Sequence, residues 1–178
     1  MSVYQQLTRI GTRFFKRSFL FKYGFNLSPM YRRSTGKVIY VSENLNTIRV
    51  KLALSYKNRN YVNTIFGGSM FASVDPFPMV QLINIIGDDY VVWDKAAHIR
   101  FLRPGNKDLY ATFTYTDQEI DDIKQQVAAK KEIEIVKTTQ LTAKDTGKVH
   151  CEVDKVIYIA DKAYFKAKRA ERKKTKHI

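Results

Sequence analysis

Apolar and polar positions along this chain fall into two periods. Residues 47–54 alternate, with Ile48, Val50, Leu52 and Leu54 on one face and Arg49, Lys51 and Ala53 on the other. That period of two predicts a half-buried strand. Residues 37–41 form a second strand ahead of it, and Glu43-Asn44-Leu45-Asn46 supplies the hairpin turn. Further on, residues 109–116 alternate, as do 131–142, where Ile133 and Ile135 oppose Glu132, Glu134 and Val136. Asp145-Thr146-Gly147-Lys148 is a hairpin turn, and residues 149–159 make the last strand. Residues 90–93 and 96–102 read as strand, either separate or continuous, ending at the Pro104-Gly105-Asn106 turn.

The helical period appears in three places. Residues 2–23 suit an amphipathic helix, with Val3, Leu7, Ile10 and Phe14 on one stripe and Arg9, Arg13, Lys16 and Arg17 among them. Such a helix either packs its stripe on the domain or lies on an anionic lipid surface. Ser28-Pro29 ends that region. Residues 117–130 are charged and read as a short helix or a long excursion. The segment that organises the chain is 60–87: a polar loop rich in Asn (58, 60, 63), then Gly67-Gly68-Ser69, then an apolar run to Gly87. This is the expected central helix. Pro76 and Pro78 either kink it or start a second segment with Asp75 as N-cap. The element order predicts an α+β domain: a curved antiparallel sheet wrapped around one long apolar helix.

Length and composition narrow the picture. A chain of 178 residues suits one domain with a proper core. Asp75, two prolines and a Gln interrupt the most apolar run, so a membrane span is not expected. The basic first residues do not resemble a signal peptide. Together these make a cytoplasmic protein, peripheral to a membrane if its ends bind one, the default expectation. One cysteine, Cys151, excludes an internal disulfide, and His98, His150 and His177 lack metal-ligand spacing.

Charge divides the chain into three. Residues 34–161 hold sixteen Lys/Arg and sixteen Asp/Glu. Residues 1–33 hold seven basic and no acidic side chains, and 162–178 hold eight basic and one acidic. The net +14 therefore sits in two basic segments flanking a neutral domain. Such segments suit an anionic membrane, a nucleic acid or an acidic partner. With Tyr164 and Phe165 as its aromatic residues, the basic tail, either helix or disordered arm, is poor in the stacking platforms of nucleic-acid binders.

Candidate chemistry centres on the apolar helix. Glycines at a helix start let a ligand approach free N–H groups, which attract negative charge; they also permit tight helix–sheet packing. Asp75 is the one charge between Phe66 and Gly87. A carboxylate in so apolar a run must be paired, hydrogen-bonded or placed at a cavity.

These residues carry a family resemblance. Asn60, then Phe66-Gly67-Gly68, then Asp75 resembles the Asn…His-Gly-Gly…acid pattern of PaaI-like acyl-CoA thioesterases, with Phe66 at the His position. The Thr64-x-Phe66-Gly67-Gly68-Ser69 version is similar to a hotdog-fold branch that includes the domain of unknown function 4442. The resemblance covers about residues 30–160 and implies a hotdog fold. It also implies a homodimer or dimer of dimers whose sites draw residues from both subunits. It implies a thioester of coenzyme A or acyl carrier protein as substrate, with no separate cofactor or metal. Gly67, with Gly68, would polarise the thioester carbonyl, Asp75 would act as base or nucleophile, and Asn60 would orient water or the carbonyl. Phe66, Met70, Phe71, Phe77 and Met79 would line the acyl path, Ser69 would lie beside it, and Arg100 and Arg103 would meet phosphates. The alternative is a non-catalytic module that binds an acyl chain or acyl-CoA.

Overall fold

The computed structural model describes residues 15–175. The expected stripe of Val3, Leu7, Ile10 and Phe14 lies outside them. Helices α1 (Arg17–Leu27) and α2 (Pro29–Arg32) precede the hairpin β1 (Gly36–Val41) and β2 (Thr47–Leu52). Then come α3 (Gly67–Val74), α4 (Phe77–Ile86), β3 (Tyr90–Phe101), β4 (Leu109–Thr114) and α5 (Asp117–Lys130). Strands β5 (Glu132–Ala143) and β6 (Val149–Asp161) lead into α6 (Lys162–Thr175).

The six strands form one antiparallel sheet in the order β1-β2-β4-β5-β6-β3. The central helix crosses it, with α3 against β1 and β2 and α4 against β3. Alternation sets the register: Ile48, Val50 and Leu52 of β2 point inward and are fully buried, as are Leu109, Val153, Ile157 and Ile159 on the strands beside them. One core cluster gathers Phe21, Tyr31, Phe77 and Phe113; a second gathers Leu82, Tyr115, Ile123 and Ile157.

Three open expectations resolve. Residues 90–101 are one strand, carrying a bulge between Asp94 and Ala96. Residues 117–130 are a helix whose cap is Thr116, with Oγ1 accepting the Glu119 N–H. The basic tail is helical through residue 175.

The central helix is split rather than freshly capped. Asp75 and Pro76 both stay in right-handed helical conformation, and Asp75 N–H still reaches Phe71 O at 2.9 Å. Asp75 makes no capping hydrogen bond, so its expected capping role is absent. Its side chain is engaged elsewhere. Counted as one helix, residues 67–86 do reach the length and hydropathy of a membrane span, contrary to the expectation from sequence. Here that helix is the sheet's partner, with Phe77 and Leu82 fully buried against the strands.

Candidate active site

The helix start is built by the loop before it. Asn58 is buried, donates to Thr35 Oγ1 and Ala53 O, and accepts Ser55 N–H. Its carbonyl then accepts Phe66 N–H at 2.7 Å, while Ile65 N–H reaches Gly105 O at 2.8 Å. These bonds hold residues 65–66 between the end of β2 and the 104–106 turn, which aims the first amides of α3 outward. The residue exchanges that glycine prevents are specific. A Cβ on Gly67 would lie 2.8 Å from the Phe101 ring, and one on Gly68 would strike the Phe66 ring. Both rings are more than half exposed and cover the helix start. The packing reading of the two glycines and the amide-access reading therefore meet at one place.

Eight residues along, Asp75 lies beside a buried lysine. Lys155 Nζ on β6 donates to Asp75 Oδ1 at 2.6 Å and pairs with Asp94 Oδ2 on β3 at 2.9 Å. The Lys155 side chain is 5% exposed, and that of Asp75 is 39% exposed. Burial opposes the Lys155 charge, but its two carboxylate partners outweigh that and hold its pKa above the ordinary lysine value. Burial pushes the Asp94 carboxyl up, further than Lys155 draws it down, and the nearby Asp75 adds to the rise. Asp94 Oδ1 is buried and has no hydrogen-bond partner among the described residues. Sequence reasoning missed Lys155 and Asp94. The signal was present for Lys155: alternation along β6 puts it on the inward face with Val153 and Ile157, where a lysine requires an acid.

The other anticipated residues divide. Asn60 spends its side chain on its own loop: Oδ1 accepts Val62 and Thr64 N–H, and Nδ2 donates to Thr64 Oγ1. Ser69 is half-buried in the first turn of α3. Met70 is buried and packs on Gly105, and Phe77 is a core ring set tilted against Phe25 and Phe113 and edge-on to Tyr31. Neither reaches an open path, whereas Phe66 is exposed and Met79 half-buried. Arg100 is committed to Glu152 and Asp154. Arg103 donates to Val149 O at 2.6 Å and has no carboxylate partner among the described residues. His98 is exposed on β3, and His150 Nδ1 bonds Pro104 O, bracing the 104–106 turn. Cys151 is buried, which pushes its thiol up to about 11 and removes it as a nucleophile near neutral pH. A cavity of about 690 Å³ lies between α6 and the sheet, lined by Trp93, Lys95, Tyr158 and Phe165 and not by Asp75 or the glycines.

A sheet wrapped on a split helix, with Gly-Gly at its start and an acid at its break, has relatives. The sequence pattern of one family, described as a domain of unknown function (DUF4442), matches residues 17–159. The chain belongs to the DUF4442 family. Its fold is the hotdog fold of thioesterase-like proteins. A Pseudomonas aeruginosa protein described as a probable thioesterase superimposes with a TM-score of 0.70 at 17% identity, over 80% of this chain and 95% of that one. A protein of unknown function from Chlorobaculum tepidum gives 0.61 at 13% identity, over 89% and 94%. A Haemophilus influenzae thioesterase gives 0.51 at 10% identity, over 90% and 92%. No curated protein matches the sequence. At these identities the likeness establishes the fold of this DUF4442 chain and leaves its chemistry to the residues.

Proposed function

We propose that the protein hydrolyses an acyl thioester carried by coenzyme A or acyl carrier protein, as a homodimer. The observation that carries this is the Asp75 carboxylate: Lys155 fixes Oδ1, while the side chain stays more than one-third open at the break in the central helix. A carboxylate steered on one oxygen and open on the other is arranged to take a proton from water. In the reaction, Asp75 accepts a proton as the water oxygen attacks the thioester carbonyl carbon. The resulting oxyanion accepts hydrogen bonds from the Gly67 and Gly68 amides. The C–S bond then breaks, and the proton on Asp75 passes to the departing thiolate, giving a carboxylic acid and a thiol. Lys155 and Asp94 act as positioning residues.

Helix geometry supports a site shared with a second subunit. Gly67 and Asp75 are eight residues apart on one helix, or about 12 Å at about 1.5 Å rise per residue. A base and an oxyanion donor must both lie about 3 Å from one reacting group. That spacing is too long within one chain, and Gly67 of one protomer placed against Asp75 of another would meet it. Strand β3 supports such pairing: it is a twelve-residue edge strand with Ala96, Ala97 and His98 exposed, and Asp94 lies on it. An open edge of that length is a ready template for a second sheet. The exposed Phe66, Phe101 and Leu102 beside the helix start offer apolar surface to an acyl chain, and Arg103 offers charge to a phosphate.

The second reading, a module that binds acyl thioesters without cleaving them, is favoured by the Phe66 ring lying over Gly68. The test is thiol release from acyl-CoAs of increasing chain length, with Asp75→Asn alongside. Turnover that falls at least about a thousandfold in a folded, dimeric variant supports the hydrolase. Binding without turnover on any chain length, for CoA and carrier-protein substrates alike, moves the protein to the second reading.

A further inference from the structure

A helix on the surface of a folded domain ordinarily turns polar residues to water. Helix α1 does the opposite. Phe15 just before it, then Phe19, Tyr23 and Leu27, recur every fourth residue and are 54, 45, 44 and 71% exposed. Met30 on α2 continues the stripe at 60%. The rings form a ladder, Phe15 to Phe19 at 5.3 Å and Phe19 to Tyr23 at 4.3 Å between centroids. The opposite face is fixed: Phe21 and Phe25 pack on each other and on Phe77. The ladder is thus held rigidly outward. Lys16, Arg17, Lys22, Arg32 and Arg33 flank it, and residues 1–33 contain no acid. Glu43, which pairs with Lys16, is the first acid in the chain. A cleft of about 510 Å³ opens beside the ladder, lined by Lys16, Phe19, Lys22, Tyr23 and Tyr40.

The second basic segment starts at the same end of the molecule. Arg17 donates to Asn84 O, and Lys162 donates to Asp88 O through Nζ and to Asp89 O through its backbone. Both therefore grip residues 84–89, at the C-terminal end of α4, where a helix favours cations.

We infer that the α1–α2 face is a docking surface for an anionic lipid bilayer. Aromatic rings and aliphatic side chains enter the interface while the flanking cations meet lipid phosphates. A second copy of the same face would bring cations against cations, which disfavours a symmetric pairing. A nucleic acid would meet the cations and rings but leave Leu27 and Met30 without an apolar partner. The surface is independent of the thioester chemistry, so either can fail alone.

The experiment uses the full chain and vesicles of phosphatidylglycerol with phosphatidylcholine, against pure phosphatidylcholine. Because Cys151 is buried, a cysteine introduced by Phe19→Cys can carry an environment-sensitive fluorophore selectively; Gln125→Cys, exposed on α5, is the control. The expected result is a blue shift at position 19 with anionic vesicles, none at 125, and partition that weakens as salt rises. Phe15→Ser, Phe19→Ser and Tyr23→Ser combined should lower partition at least about tenfold while circular dichroism stays unchanged. Absence of binding to anionic vesicles overturns the inference. So does partition that the folded triple variant leaves intact, or a position-19 shift that appears without lipid as protein concentration rises. Salt-sensitive binding to single-stranded RNA with none to vesicles overturns it in favour of a nucleic-acid face.

Discussion

Lys155 joins the last strand to the break in the central helix: its Nζ sits 2.6 Å from Asp75 Oδ1 while also holding Asp94 of β3 at 2.9 Å. Lys155 lies between Val153 of one core cluster and Ile157 of the other, so the ionic group marks the seam between them. A cation there ties the helix, the last strand and the edge strand to one another.

Removing that cation should be costly. Lys155→Met leaves two facing carboxylates without a counter-charge. Breaking a buried pair costs about 3–5 kcal/mol, and the partial exposure of Asp75 reduces this to about 2 kcal/mol. The elevated Lys155 pKa makes its contribution fully present below the ordinary 10.5 and lost as pH rises through the higher folded value. Urea unfolding at neutral pH should show the full deficit; an unchanged midpoint would mean the pair contributes nothing.

Asp94 carries the opposite sign. Its folded pKa is raised above 3.8, so ionising it in the folded state opposes stability: the contribution is present below 3.8 and lost as pH rises through the folded value. Asp94→Asn, which mimics the protonated form, is therefore expected to unfold at a higher denaturant concentration than the parent at neutral pH. The difference should close as pH falls below 3.8. A variant less stable at neutral pH would show that the bond to Lys155 outweighs the burial of the charge.

Gly67→Ala separates packing from access. Alanine favours a helix by about 1 kcal/mol over glycine, and the Phe101 ring that its Cβ would meet is exposed enough to swing aside. Stability should change by less than about 1 kcal/mol. Thiol release should nonetheless fall, because the new methyl group narrows the approach to the helix-start amides. Phe101→Ser provides the comparison: it removes the ring without adding a group at the amides, so kcat on a short-chain acyl-CoA should survive even where KM for long chains rises.

Mixing subunits tests the shared site. Asp75→Asn and Gly67→Ala proteins, each impaired alone, should gain up to about one quarter of wild-type turnover over their separate activities after unfolding and refolding together in equal amounts. Random pairing makes half the dimers mixed, each with one intact site. No recovery would place the chemistry within one chain.

Much of the fold was legible because it rests on local periods. Ile48, Val50 and Leu52 announce a buried strand face, and the Asn-rich loop before Gly67-Gly68 announces a helix start. The site was legible only in half. Asp75 stands out as one charge in an apolar run, but its partners come from strands whose pairing no local pattern encodes. Asn60 drew attention by its spacing from the glycines, whereas the buried brace of that loop is Asn58, whose partners at Thr35 and Ala53 are distant in sequence or hidden in backbone. The expected stripe of Val3, Leu7, Ile10 and Phe14 lies outside the described residues; among the described residues an exposed ladder runs from Phe15 through Leu27.

The strand order also dictates a sequence of events in time. Strand β3 is made early, yet its one neighbour in the sheet is β6, the last strand. During synthesis, β3 must wait without its strand partner until the residues around 149–161 emerge. Lys155 and Asp75 are 80 residues apart, so their contact closes one of the longest loops in the chain. The Asp75 carboxylate therefore meets its lysine only once β6 is in place, and a chain truncated before β6 would never assemble the Asp75–Lys155–Asp94 group.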